Sequence, residues 1–269
     1  MYRLEYCSTL LGLFMLCALA VNGEFNNVNN NHKRKAIVAG RSVLQNEGNF
    51  QTAIIYKQRL TCSGSLLRDN VVLTSASCVK NIDLSQIIVR AGSKAFKTGG
   101  QVRSVLEILL HMLHKDDEHS NNIALLKLRR PFNLTSPSID ITQLPTVTQL
   151  EIPPSLFIYG WGISSLNVNG TLSKHLRVSK YKVYSNNKCL HYLPENDKIG
   201  DKNPLCVGDR SKHFDICNDD SGGPAVDQNR IQYGVVSYGG KCFPQGVIIL
   251  SNVLPHLQWI RNVIQSWND

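Results

Sequence analysis

The sequence predicts an all-β fold with a single helix at the C-terminal end. Short segments rich in β-branched and aromatic residues recur from residue 37 onward, and turn-forming residues separate them. The last residues instead place apolar side chains at helical spacing. Once the first 23 residues are set aside, the chain keeps an even number of cysteines, which favours disulfide bonds.

The strand pattern occurs in several segments, and Gly, Asn, Asp or Ser residues flank them. They are QTAIIY, NVVLTS, QIIVRAGS, LFIYGWG and YGVVSYGG. Many short strands with frequent turns indicate a barrel or a sandwich, and the pattern does not choose between them. At the C-terminal end, Asn252 and Pro255 are well placed to begin a helix. The apolar positions of this helix are Val253, Leu257, Ile260, Ile264 and Trp267.

Residues 1–23 have the features of a secretory signal peptide. Arg3 precedes an apolar run from Leu10 to Val21, which is shorter than the roughly 20 apolar residues of a spanning helix. Residues 24–36 form an Asn-rich, basic leader without apolar periodicity, and residues 37–269 form the main domain. The sequence therefore predicts a secreted, extracellular protein without a membrane span.

The chain is basic, with a formal net charge of +9. Basic residues cluster at His32–Lys35 and again at Lys174, Arg177, Lys180 and Lys182. Such charge could favour an anionic glycan partner, although a solvated surface explains it more simply. The sequence contains no metal-site spacing and no glycine-rich phosphate loop. We expect no cofactor, no metal and no nucleic-acid partner.

Six strings in the main domain resemble the trypsin-like serine proteases and follow that family's order. They are IVAG at 37–40, CSGSLL at 62–67, NIALLKL at 122–128, YGWG at 159–162, CNDDSGGP at 217–224 and VVSYGG at 235–240. The resemblance runs from Ile37 almost to the end of the chain. It implies two packed six-stranded antiparallel β-barrels with a C-terminal α-helix and a site in the cleft between the barrels.

The resemblance also implies a disulfide pattern, which counting alone cannot give because six cysteines allow 15 pairings. The implied pairs are Cys62 with Cys78, Cys189 with Cys206, and Cys217 with Cys242. These pairs use every cysteine of the mature chain, and the third would hold the wall of a specificity pocket.

The family's catalytic triad is altered at two of its positions. Ser221 stands at the nucleophile position. Ser77, in LTSASC, stands where the family has the histidine that acts as general base, and Asn122 stands where it has the aspartate. A serine hydroxyl is a weak nucleophile without an adjacent base, and neither Ser nor Asn titrates near neutral pH.

The oxyanion-hole position differs as well. Asp219 replaces a glycine whose backbone N–H helps to hold the oxyanion, and its carboxylate would bring negative charge close to developing negative charge. The resemblance places three other histidines on a strand and the following loop, away from Ser221, so we expect none of them to supply the base. They are His111, His114 and His119. The sequence thus predicts a protease scaffold without protease chemistry.

Proteases of this family become active when the chain is cut before the position of Ile37. The new amino group then pairs with the aspartate at the position of Asp220. Here Ala36 precedes Ile37, and a cut after Lys35 would leave the terminus one residue too long. We therefore predict an uncut, zymogen-like chain in which Asp220 lacks that partner.

Some substrate-binding positions of the family are kept. Asp215 stands where trypsin-like enzymes have the carboxylate that attracts Arg or Lys. Ser237, Tyr238 and Gly239 match the strand that pairs with a substrate backbone. Two interpretations stay open, namely a cleft that binds basic peptides without cutting them and a partly collapsed relic.

Two sequons predict N-linked glycosylation of the secreted chain. They begin at Asn133 and Asn169. Both lie beside turn-forming residues in predicted loops, which suits modification.

Three functions fit these residues. The first is a non-catalytic protease homologue that binds an extracellular protein or peptide, as a cofactor, decoy or scaffold in a proteolytic, immune or reproductive-fluid pathway. The second is an active endopeptidase that cuts after Arg or Lys, and it requires an unseen base. The third is a secreted glycan-binding protein. The changes at Ser77, Asn122 and Asp219 favour the first function.

Overall fold

The computed structural model describes residues 40–115, 121–162, 172–192, 205–208, 220–238 and 247–267. All of them belong to one compact unit, Ala36–Asp269. The predicted signal peptide, the leader and Ile37 lie outside the described residues. Among the helices of the described ranges, none is both long and apolar enough to cross a bilayer.

The first barrel is a closed antiparallel sheet with the strand order β2-β3-β4-β7-β6-β5. Its strands are β2 (Gln51–Tyr56), β3 (Arg59–Arg68), β4 (Val71–Thr74), β5 (Ile87–Ala91), β6 (Gln101–Leu110) and β7 (Ala124–Leu128). Strand β2 is buried on both faces. Ile54 contacts the barrel core, while Ala53 and Ile55 contact a cluster shared with Tyr159 and Trp161. This double burial explains the continuous apolar run in QTAIIY.

The second barrel follows the order β9-β10-β13-β12-β11-β8 and closes through pairing of β8 with β9. Its strands are β8 (Ser155–Gly160), β9 (Arg177–Val183), β10 (Leu205–Gly208), β11 (Pro224–Val226), β12 (Gln232–Tyr238) and β13 (Val247–Asn252). A short strand, β1 (Arg41–Ser42), adds to β9 with Arg41 opposite Val178. The two six-stranded barrels confirm the predicted fold.

Three α-helices accompany the barrels in the described ranges, and the longest is the predicted C-terminal helix. They are α1 (Ala76–Val79), α2 (Asn186–Tyr192) and α3 (Leu257–Ser266). A 3₁₀ turn over Leu254–His256 leads into α3, and the Asn252 side chain accepts a hydrogen bond from the Leu254 N–H at 3.1 Å. One face of α3 packs on the first barrel, where Ile260 contacts the cluster that contains Leu73 and Leu125.

Two of the predicted disulfide bonds are confirmed. Cys62–Cys78 joins β3 to α1, and Cys189–Cys206 joins α2 to β10. The third predicted pair, Cys217 with Cys242, lies outside the described residues. A disulfide of this kind typically contributes about 2–4 kcal/mol to stability.

Ile260→Ala tests how far the packing of α3 stabilises the fold. Ile260 is fully buried, so we expect a loss of about 2–5 kcal/mol in the free energy of unfolding. Gln258→Ala on the exposed face of the same helix serves as the control, and its effect should stay within about 0.5 kcal/mol. Urea unfolding with the disulfides intact measures both values. Equal losses would show that α3 does not rely on its buried face.

Candidate functional site

Strand pairing brings Ser77 and Asn122 together. Strands β4 and β7 are antiparallel, with Thr74 opposite Ala124. The residues that follow β4 therefore meet the residues that precede β7 at one end of the first barrel. Ser77 lies there in α1, and Asn122 lies just before β7.

The Asn122 side chain is the centre of a hydrogen-bond network between the barrels. Its Oδ1 accepts the Ser77 backbone N–H at 2.8 Å. Its Nδ2 lies 3.1 Å from Ser77 Oγ, 2.9 Å from the Ser237 carbonyl oxygen and 3.0 Å from Ser237 Oγ. A backbone N–H can only donate and a carbonyl can only accept, so these two neighbours fix which way the amide points.

Ser221 lies on a tight turn that packs against the first barrel. The Gly223 N–H donates to the Asp220 carbonyl at 3.0 Å, and the Ser63 N–H donates to the Ser221 carbonyl at 2.8 Å. Gly222 has a φ of +80°, and a Cβ there would lie 2.2 Å from Thr74 Oγ1. Only glycine satisfies both the backbone conformation and the close approach at this position.

The Ser221 hydroxyl is partly exposed and makes no hydrogen bond in the described part of the chain. The Ser77 hydroxyl is instead engaged by Asn122 and lies 3.4 Å from Ser75 Oγ. A serine at this position offers no proton acceptor that operates near neutral pH. The arrangement can present the Ser221 hydroxyl at the surface, but Ser77 and Asn122 cannot take its proton.

The carboxylate of Asp220 is buried beside two glycines of the YGWG string. Its Oδ1 accepts the Gly162 N–H at 2.8 Å. A Cβ on Gly160 would lie 1.8 Å from Asp220 Oδ1, and one on Gly162 would lie 2.0 Å from Oδ2. The carboxylate therefore occupies space that only glycine leaves open. Ile37 is outside the described residues, so its pairing with Asp220 stays a prediction.

The other predicted site positions are described only in part. Ser237 is buried on β12, and Tyr238 ends that strand opposite Ile249. Four predicted positions lie outside the described residues, and their roles stay predictions. They are Asp215, Asp219, Gly239 and Asn169. The Asn133 sequon is exposed, and the Thr135 hydroxyl donates to Asn133 Oδ1 at 2.8 Å. Glycosylation of Asn133 also stays a prediction.

His111 lies at the end of a strand, as predicted, and packs against the C-terminal helix. Its ring centroid is 4.7 Å from that of His256 and 4.9 Å from that of Trp259. Burial, the charge of His256 and the charge of His114 lower the pKa of His111 to about 4. His119 lies outside the described residues.

Sequence reasoning did not single out His256, although its ring is buried beside the site. Its Nε2 lies 3.0 Å from Oδ1 of Asn121, the neighbour of Asn122, and its Nδ1 lies 2.7 Å from the Asn252 carbonyl oxygen. The sequence feature that could have identified His256 is its position among the apolar residues that lead into α3. Within the described residues, no cluster of His, Cys, Asp and Glu has the arrangement of a metal site.

Two six-stranded barrels, with a partly exposed serine on a glycine-rich turn that contacts both of them, define a chymotrypsin-fold protein. The family model for Trypsin matches residues 37–260, and the chain belongs to the trypsin family. Hypodermin-A of Hypoderma lineatum is 30% identical over 201 residues, which cover 72% of this chain and 73% of that protein. The solved structure of neuropsin, a serine protease expressed in the limbic system of mouse brain, has a TM-score of 0.72 at 26% identity. That match covers 84% of this chain and 98% of neuropsin.

His111→Phe tests the low pKa of the partly buried His111 ring. An unfolded histidine titrates near pH 6.5, so between about pH 6.5 and about pH 4 the unfolded chain binds a proton that folded His111 excludes. The stability of the wild type should fall as the pH drops through this window. We expect a smaller fall in melting temperature from pH 7 to pH 5 in His111→Phe, and no such change in the exposed control His175→Phe. Equal pH dependence in all three proteins would contradict the assignment.

Asn122→Asp tests whether the network requires a neutral donor. An ionised carboxylate would set an oxygen against the Ser237 carbonyl, now 2.9 Å from Nδ2, and burial disfavours the charged form. We expect the variant to melt well below the wild type at pH 7, where the carboxyl group ionises in the unfolded chain. The difference should shrink at pH 4, because a protonated carboxyl can donate to the carbonyl. A difference that grows on acidification would show that the site accepts an anion.

Proposed function

We propose that this chain is a secreted, non-catalytic member of the trypsin family that acts by binding a protein or peptide partner. In extracellular fluid it would serve as a cofactor, decoy or scaffold. The observation that carries the proposal is the pair of neutral residues at the general-base and aspartate positions. Ser77 and Asn122 satisfy each other through hydrogen bonds at 2.8 and 3.1 Å and offer the Ser221 hydroxyl no base.

The size of the expected catalytic deficit supports the proposal. In a triad protease, the change from aspartate to asparagine alone lowers turnover by about 10⁴. Here the base is replaced as well, so only binding and oxyanion contacts remain to accelerate the reaction. Asp219 adds negative charge beside the oxyanion position, which works against the remaining contacts.

The surviving scaffold supports a binding role. Two disulfides hold the barrels' surface segments, which fits an oxidising extracellular compartment. Strand β12 reaches the site with Ser237 held by Asn122, so the strand that would pair with a peptide backbone is fixed in place. A cleft ordered before binding loses less conformational entropy when a partner binds.

Restoring the family residues tests the proposal directly. We would compare the wild type, Ser221→Ala and the triple variant Ser77→His, Asn122→Asp, Asp219→Gly, each with Ala36→Lys so that a cut before Ile37 is possible. N-terminal sequencing would verify that cut in every sample. We expect an Arg-based chromogenic substrate to be hydrolysed by the triple variant alone, because only that variant has a base beside Ser221.

Two controls decide the interpretation. Adding Ser221→Ala to the triple variant should abolish its activity, which would show that the restored chemistry uses Ser221. Hydrolysis by the wild type that Ser221→Ala removes would overturn the proposal and favour an active endopeptidase. A fluorophosphonate label on wild-type Ser221 would lead to the same conclusion.

A further inference from the structure

A second cleft lies where α3 packs against the first barrel, away from Ser221. Its volume is about 480 Å³, within the range of ligand sites. Arg68, the last residue of β3, lines one side of it, and Arg261 on α3 lines another. Residues on a strand rise about 3.3 Å each, so Arg68 lies roughly 17 Å from Ser63, which contacts the Ser221 turn.

The two guanidinium groups are oriented but not neutralised. Arg68 Nη1 donates to the Leu67 carbonyl at 2.7 Å, and Arg261 Nη2 donates to the Pro145 carbonyl at 2.6 Å. A guanidinium has five N–H donors, so most donors of each group stay available. Neither arginine pairs with a carboxylate in the described ranges, and the lining of the cleft contains no Asp or Glu.

Part of the cleft lining is apolar, and the polar Thr142 also lines the cleft. Leu144 and Ile264 line it and belong to the cluster beneath α3, while Gln143 and Gln265 are exposed at its rim. The cleft therefore combines two cations with a small apolar surface. Planar guanidinium groups match carboxylates in bidentate geometry, and the net charge of +9 attracts anions toward the chain.

We infer that this cleft binds an acidic peptide segment. Carboxylates of the segment would bind Arg68 and Arg261, and a neighbouring apolar side chain would cover the half-buried Ile141 and Leu144. A sulphated glycan supplies anions but no apolar side chain for this apolar surface, so the lining favours a peptide. The inference concerns a site separate from Ser221 and holds whether or not the chain is catalytic.

A labelled peptide tests the inference on the full mature chain. The probe is a fluorescein-labelled hexapeptide of alternating leucine and glutamate, titrated by fluorescence anisotropy at physiological salt. We expect saturable binding that Arg68→Gln and Arg261→Gln each weaken by about tenfold, the typical effect of losing one charge-assisted contact. Arg59→Gln removes the same charge from the exposed first residue of β3 and should leave the affinity unchanged.

The alternatives give distinct outcomes. Equal weakening by Arg59→Gln would show general electrostatic attraction and overturn the inference, as would the absence of saturable binding. Binding of a heparin hexasaccharide that depends on both arginines, without peptide binding, would assign the cleft to a glycan instead. The two tests fail separately: absence of saturable peptide binding would overturn this inference alone, and hydrolysis by the wild type that Ser221→Ala removes would overturn the proposed function alone.

Discussion

The buried amide of Asn122 joins the two barrels at the site. It accepts the Ser77 N–H from the first barrel and donates to the Ser237 carbonyl of the second. The Ser251 hydroxyl, also from the second barrel, donates to the Asn122 carbonyl at 2.9 Å. Leaving a buried polar group unsatisfied costs about 1–3 kcal/mol, so every partner of Asn122 resists a shift between the barrels. The position of Ser221 depends on this contact between the barrels, because the turn that carries Ser221 contacts both of them.

The sequence could predict the strands and the final helix because their side-chain periods are local properties. It could not choose between barrel and sandwich, since that depends on pairings such as β8 with β11, where Ile158 lies opposite the distant Ala225. Only the resemblance to a family supplied the closure. Helix α2 escaped prediction because its seven residues, Asn186–Tyr192, carry no apolar period. Its place depends on the bond between Cys189 and Cys206.

The site could be predicted as a set of positions but not as a network. Matching strings identified Ser77, Asn122 and Ser221, yet the direction of the Asn122 amide depends on Ser237, which lies far along the chain. Arg68 and Arg261 gave no sequence signal at all, because only the packing of α3 on β3 and β4 brings them to one cleft. The charge clusters of the sequence indicated Lys174, Lys180 and Lys182 instead, and all three are exposed.

The changes at Ser77 and Asn122 are best understood as one matched change. An ionised aspartate buried between the barrels at position 122 would require a cationic or hydrogen-bond-donating partner, because an uncompensated buried charge is strongly destabilising. Once a serine replaces the histidine, a neutral amide satisfies both the Ser77 N–H and the Ser237 carbonyl without any charge. Neighbouring residues that share partners are energetically coupled, so restoring one position alone should cost more stability than restoring both. The hydrogen bonds at this position therefore suit the neutral pair, and a change toward the family's residues has to alter Ser77 and Asn122 together.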